Sequence, residues 1–135
     1  MNRAFGNRSR PALAACLVAL LSGCASTGFH YSEVDGRRFN TTNIDTYSVV
    51  ISRVDGRSPL VNDPPVRVDA GMRTIEVQGP PTPTNPGEFR SIALDVKVCT
   101  RYYLVAVKPN RLDNDFSVRV DQQIPVPGCT PPPSK

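Results

Sequence analysis

Apolar and polar residues alternate with a period of two along several short stretches of this chain, the spacing expected of strands with one face buried. The clearest run is 89–98, where Ile92, Leu94, Val96 and Val98 fall on one face and Ser91, Ala93, Asp95 and Lys97 on the other. The stretch 74–78 repeats the pattern with Ile75 and Val77 inward. Phe116, Val118 and Val120 form a further inward set, with Ser117 and Arg119 outward. The run 47–54 reads as one strand, and 101–108, which is more continuously apolar, as a central strand. Val66-Arg67-Val68 starts another, and 124–126 reads as a short edge piece, because Pro125 and Pro127 lack the donors a central strand needs. Tyr102 and Tyr103 are adjacent, so in a strand one faces inward and the other is free to cover a sheet face or bind.

Turn residues separate these runs. Asp55-Gly56, Asp69-Ala70-Gly71 and Pro109-Asn110 each close a strand. The segment 79–87 (Gly-Pro-Pro-Thr-Pro-Thr-Asn-Pro-Gly) cannot pair in a sheet and is read as an exposed, stiff loop, either a contact surface or a plain connection. Val-Asp-Gly-Arg occurs at 34–37 and again at 54–57; the flanks differ, which points to shared turn chemistry and not to a repeat. The chain has 14 prolines, too many for long helices. Six to eight short strands at regular spacing predict an all-β chain, a small antiparallel β-sandwich.

The N-terminus follows other rules. Arg3, Arg8 and Arg10 precede Ala12–Leu21, an apolar run of ten residues. That is half of the ~20 needed to cross a bilayer as a helix, and it suits the apolar region of an export signal. Leu21-Ser22-Gly23-Cys24 then resembles the bacterial lipoprotein lipobox at all four positions. The resemblance implies diacylglyceryl transfer to the Cys24 thiol, cleavage before Cys24 and acylation of the new amino group. Two or three acyl chains anchor stably where one is marginal. Ala25 and Ser26 stand where an Asp would favour inner-membrane retention, so the family rule points to the outer membrane. A general secretory signal cleaved near Ala25, leaving a soluble periplasmic protein, is the alternative.

Cleavage changes the composition. Removing residues 1–23 of the 135 leaves 112, enough for one small domain. The three leader arginines go with it, lowering the net charge from +4 to +1. Nucleic acid thereby loses its support as a partner. Of the four cysteines, Cys16 leaves with the leader and Cys24 becomes a thioether, so Cys99 and Cys129 remain. In an oxidising envelope they are expected to pair, worth ~3–4 kcal/mol by loop closure. Two thiols with no nearby His or second pair make a poor zinc site.

The run from Val54-Asp55-Gly56-Arg57 and Pro59 through Pro65-Val66-Arg67-Val68 to Gly71–Val77 resembles the PEGA-type β-sandwich repeat of bacterial envelope proteins. Arg73 stands where that pattern commonly has His, and the name-giving tetrapeptide is absent. The chain is also similar to small lipoproteins with a Tyr-x-Leu-x-Ala strand, matched by Tyr102 or Tyr103, Leu104 and Ala106. Both resemblances imply a shared fold more than a shared activity.

Catalytic chemistry finds little to stand on. The one His, His30, lies six residues past Cys24 in a segment read as tether. No phosphate-cradling glycine loop or metal-ligand cluster is present in the sequence, and no cofactor is expected. Asp113 and Asp115 are the only candidate acid pair, for calcium or for glycoside hydrolysis; Asx-rich turns account for them with no further assumption and are the favoured reading. The organisation expected is a lipoprotein signal peptide at 1–23, a lipidated flexible tether at 24–45 (with an early strand near its end), a β-sandwich at 46–129 and a disordered Pro-rich tail at 130–135. The function expected is a non-enzymatic interaction or structural module, anchored to the outer membrane through acylated Cys24 and facing the periplasm. A docking subunit of an envelope secretion or assembly complex is the alternative, and a wall or glycan hydrolase a weaker one. The partner is membrane lipid, with an envelope protein of unknown identity beside it.

Overall fold

The computed structural model describes residues 28–60 and 63–133; the leader, the lipobox and Cys24 lie outside that range. Eight strands follow in order: β1 (Ser32–Asp35), β2 (Thr46–Ser48), β3 (Val50–Val54), β4 (Val66–Val68), β5 (Gly71–Gln78), β6 (Phe89–Val96), β7 (Thr100–Val107) and β8 (Ser117–Pro125). They form a five-stranded and a three-stranded sheet, with no helix among the described residues. The expected small, disulfide-tied β-sandwich is the fold observed.

β7 is the axis of the larger sheet. One of its edges pairs antiparallel with β8 along its whole length. The other edge is shared: β1 runs parallel to 101–103 and β2 antiparallel to 105–107. β4 lies outside β1, and the smaller sheet is ordered β3-β5-β6. The alternating residues meet where their period sends them. Ile75 and Val77 of β5, Leu94 and Val96 of β6 and Leu104 and Ala106 of β7 are all buried in one cluster between the sheets. Each such side chain contributes ~1.5–3 kcal/mol by leaving water. Tyr103 and Val105, on the opposite face of β7, are buried as well, with Phe39 against Tyr103 at 5.0 Å between ring centroids.

Four features differ from the sequence expectation. The single strand at 47–54 is two strands in different sheets. They part at Val49, whose N–H donates to Gly36 O at 2.8 Å instead of to a sheet partner. The expected tether at 24–45 includes β1, an inner strand with every residue buried. Its two acids are neutralised from elsewhere: Glu33 accepts from Arg101 Nε at 2.6 Å, and Asp35 from Arg37 at 2.7 Å. β1 also makes the sheet mixed, because it runs parallel to β7. Finally, the piece at 124–126 is the end of β8, which is an edge strand interrupted by a bulge opposite Tyr103 and Leu104 and tolerates Pro125 at its last position.

The two Val-Asp-Gly-Arg stretches prove unlike. At 54–57, Val54 and Arg57 exchange backbone hydrogen bonds of 2.8 and 2.9 Å. Asp55 and Gly56 both take positive φ, 50° and 78°, the geometry of a tight hairpin turn. At 34–37 the chain leaves β1, and Gly36 lets the crossover at Val49 pass; a Cβ there would lie 2.0 Å from Val49 O.

Candidate functional site

The strand registers define two poles. At one, β1, β6 and β8 meet the starts or ends of β4, β5 and β7: Ser32 pairs with Val68, Gly71 with Val96 and Thr100 with Pro125. The described chain enters there, and the entry is clasped. Thr130 N–H donates to Phe29 O at 3.2 Å, and His30 Nδ1 meets Thr130 O.

The Cys99–Cys129 disulfide lies under this clasp, with a Cα–Cα distance of 5.4 Å. Cys129 Sγ sits 3.3 Å from Phe29 O; bonded to Cys99 it has no proton to give, so this is packing. Val126-Pro127-Gly128-Cys129 turns the chain back, Cys129 N–H donating to Val126 O at 3.2 Å with Gly128 at φ 75°. Phe29 stacks on Tyr31 at 4.5 Å, and the Arg67 guanidinium lies 4.4 Å above the Tyr31 ring. His30 and Thr130 therefore belong to the fold, where the sequence suggested tether and tail; Pro131–Pro133 continue exposed beyond them.

The opposite pole is built from the loops 79–88, 108–116 and 37–45. The proline loop is held in place. Thr82 and Asn85 bridge through backbone bonds, Gly87 N–H donates to Asn85 Oδ1 at 2.9 Å and Gln78 Nε2 to Pro86 O at 3.2 Å. Gly79 lies against Phe116: a Cβ would stand 2.4 Å from the ring, so only glycine lets the loop close over the core. Thr82 Oγ1 reaches Asn114 Oδ1 at 2.8 Å and ties this loop to the next.

Arg90 completes the pole, bonding Glu88 at 2.8 Å and Asp115 at 3.0 Å over the Phe116 ring. Five large apolar side chains stay exposed on it: Phe39, Ile44, Val50, Phe89 and Leu112. Val50, Gln78 and Phe89 form one cross-strand row, leaving two apolar side chains on either side of one amide.

The candidate acids sit here without acid geometry. The Arg90 hydrogen bond, then one from the Phe116 backbone, holds the Asp115 carboxyl below the usual carboxylate range. A general acid needs the reverse. Asp113 is exposed and donates its N–H to Asn110 O at 3.2 Å; the Asx turn is made by Asn110, whose Oδ1 accepts from Leu112 N–H at 3.0 Å. Among the described residues no three His, Cys, Asp or Glu side chains converge on a possible metal position. Of the two tyrosines, Tyr102 faces the core and Tyr103 the Phe39 side, and neither offers a free aromatic surface.

A third feature escaped the sequence reading. The β3–β4 connection borders an open hollow of about 670 Å³, lined by Val54, Pro59, Pro65 and Val66 with Arg57 and Arg67 at its walls. Its prolines were legible as a loop, but a concavity between two sheet edges has no local sequence signal.

No protein-family model, curated protein or solved structure matches this chain.

Proposed function

We propose that this protein is a membrane-anchored envelope lipoprotein, held in the outer membrane through acylated Cys24 and acting as a non-enzymatic interaction module on the periplasmic side. The observation that carries the reading is the full lipobox match at Leu21–Cys24, placed four residues before the clasped entry of a disulfide-tied domain. A Cys99–Cys129 bond fits an oxidising compartment. The run 54–77, which takes in the last residue of β3, the connection after it, β4 and all but the last residue of β5, is read as a PEGA-like unit.

The test is the mass of the mature N-terminus from a bacterial host, for the full chain and for Cys24→Ser. A mature chain that begins at Cys24, carries acyl chains and pellets with membranes supports the reading, with the variant retained as unacylated precursor. An unacylated mature chain starting elsewhere would sink it.

A docking role in an envelope assembly is the second reading, favoured by Val50 and Phe89, exposed on either side of Gln78, with Leu112 and Ile44 exposed on loops of the same pole. Cross-linking in intact envelopes should then capture one partner with the wild type and lose it with Leu112→Asp. A hydrolase role has less support, because Asp115 is committed to Arg90.

A further inference from the structure

The clasp fixes how an anchored domain must stand. We infer that the disulfide pole rests against the lipid headgroups, with residues 28–31, the 126–130 turn and the Lys97–Cys99 corner facing the bilayer, while the proline-loop pole points away from it. This rests on acylation of Cys24.

Chain length sets the distance between anchor and domain. From Cys24 to Gly28 there are four Cα-to-Cα steps, which fully extended reach at most ~14 Å. Beyond Gly28 the chain has no slack. Gly28 abuts Thr130, where an added Cβ would lie 2.9 Å from the Thr130 side chain, and Phe29 and His30 are bonded to Thr130. β1 follows at once as an inner strand. The opposite pole is a strand length farther off: β7 has eight residues, or ~26 Å at the rise of an antiparallel strand. A tether of that reach holds the disulfide pole within contact of the membrane, whereas the other pole, a strand length beyond it, meets the bilayer only if the domain lies on its side.

The chemistry of the pole suits headgroups. Phe29 and Tyr31 are half-exposed, stacked aromatic rings backed by Arg67, an amphipathic surface of the type that sits at an apolar–aqueous boundary. Exposed charges around it are of both signs, Lys97 and Arg67 against Asp69 and Asp95. Contact is therefore imposed by the tether as a high local concentration and not by attraction to anionic lipid. Zwitterionic vesicles suffice to see it.

The chain contains no Trp, so a single introduced Trp is an unambiguous reporter. The acylated full chain is reconstituted into phosphatidylcholine vesicles whose acyl chains are brominated, which quench only nearby indoles. Four variants are compared: His30→Trp and Lys97→Trp at the disulfide pole, Ile44→Trp and Leu112→Trp at the other. All four positions are exposed, and the two variants at each pole guard against one that misfolds. The expected result is strong quenching of the first pair and little of the second. Equal quenching, or stronger quenching at Leu112→Trp, would overturn the orientation.

A mass measurement on the same samples separates the two failures. If Cys24 carries no acyl chain, the anchoring itself is wrong; if it does and the vesicles float with protein, only the orientation is. Inserting about twelve Gly/Ser residues after Thr27 lengthens the tether to a flexible coil of ~20 Å root-mean-square span. Quenching at Lys97→Trp should then fall. Unchanged quenching with the long tether would also overturn the inference.

Discussion

The Tyr102 hydroxyl accepts a hydrogen bond from the Lys97 backbone N–H at 2.9 Å and donates one to Asp95 O at 3.3 Å. One side chain, 1% exposed, thus ties the third residue of β7 to the end of β6 and fixes the corner where the chain passes from the small sheet to the large one. β-sandwiches use a tyrosine hydroxyl at such corners in the same way. Ser32 Oγ supports the corner from the other side, donating to Lys97 O at 2.5 Å and accepting from Thr100 N–H at 3.2 Å. Tyr102→Phe keeps the ring and removes only the hydroxyl. It should lower stability by ~1–2 kcal/mol, the cost of leaving a part-buried N–H without its partner. A fall in the urea midpoint with unchanged slope would show it; an unchanged midpoint would mean that water replaces the hydroxyl.

The disulfide joins this corner to the clasp. It closes a loop of sequence separation 30, which on the chain-entropy model stabilises by ~3–4 kcal/mol. Reduction or Cys129→Ala should remove that amount. It should also loosen the clasp, because Thr130 is held to Phe29 and His30 directly after Cys129. Faster hydrogen exchange at the Thr130 amide, with the β5–β6 amides still protected, would separate local release from global unfolding.

Most of this architecture could be read from the chain, and the exceptions share a cause. β5 and β6 were legible because their inward residues recur with period two, and β7 because its run is continuously apolar. Ser32-Glu33-Val34-Asp35 offers a single apolar residue. It is buried because Arg101 and Arg37 satisfy its acids, and the Arg101 pairing comes from the far end of the chain. The break at Val49 hides inside the apolar run Val49-Val50-Ile51, since Val49 itself and Ile51 just after it are both buried. The clasp depends on backbone bonds between residues about 100 positions apart. Register, crossover and long-range neutralisation are properties of the packed sheets, and no window of sequence carries them.

The two Val-Asp-Gly-Arg stretches make that difference measurable. At Gly56 nothing lies within 4 Å of an added Cβ, so Gly56→Ala meets only the left-handed backbone at φ 78°. That should cost ~1 kcal/mol. At Gly36 the Cβ would collide with the Val49 carbonyl at 2.0 Å and push apart the bond that sends the chain across the sandwich. Gly36→Ala should cost ~3 kcal/mol or more, through backbone displacement in a packed interior. Equal losses at the two sites, read from urea unfolding, would contradict the assignment of different roles to identical tetrapeptides.

Asp55 and Asp115 should link stability to acid pH, because both are held below the ordinary carboxylate range. The Asp55 carboxyl accepts from Thr74 N–H at 2.9 Å and from Arg73 Nη1 at 2.9 Å. The backbone bond, then the arginine, lowers its pKa from the ordinary 3.8. Asp115 is lowered in the same direction by Arg90. A carboxyl whose folded pKa lies below its unfolded one binds fewer protons in the folded state at intermediate pH. Its contribution is then complete above the unfolded value and is lost as pH falls through the folded one. Stability should accordingly be flat from neutral pH down to about 4–5 and decline below about 4. Both groups are exposed, so each accounts for a minor part of the decline, and salt should weaken it by screening. Asp55→Asn removes one of the two titrations. Its urea midpoint should start lower than wild type at neutral pH and fall less steeply between about pH 4 and 2. A variant whose curve stays parallel to wild type through that window would show that the turn carboxylate is not linked to folding.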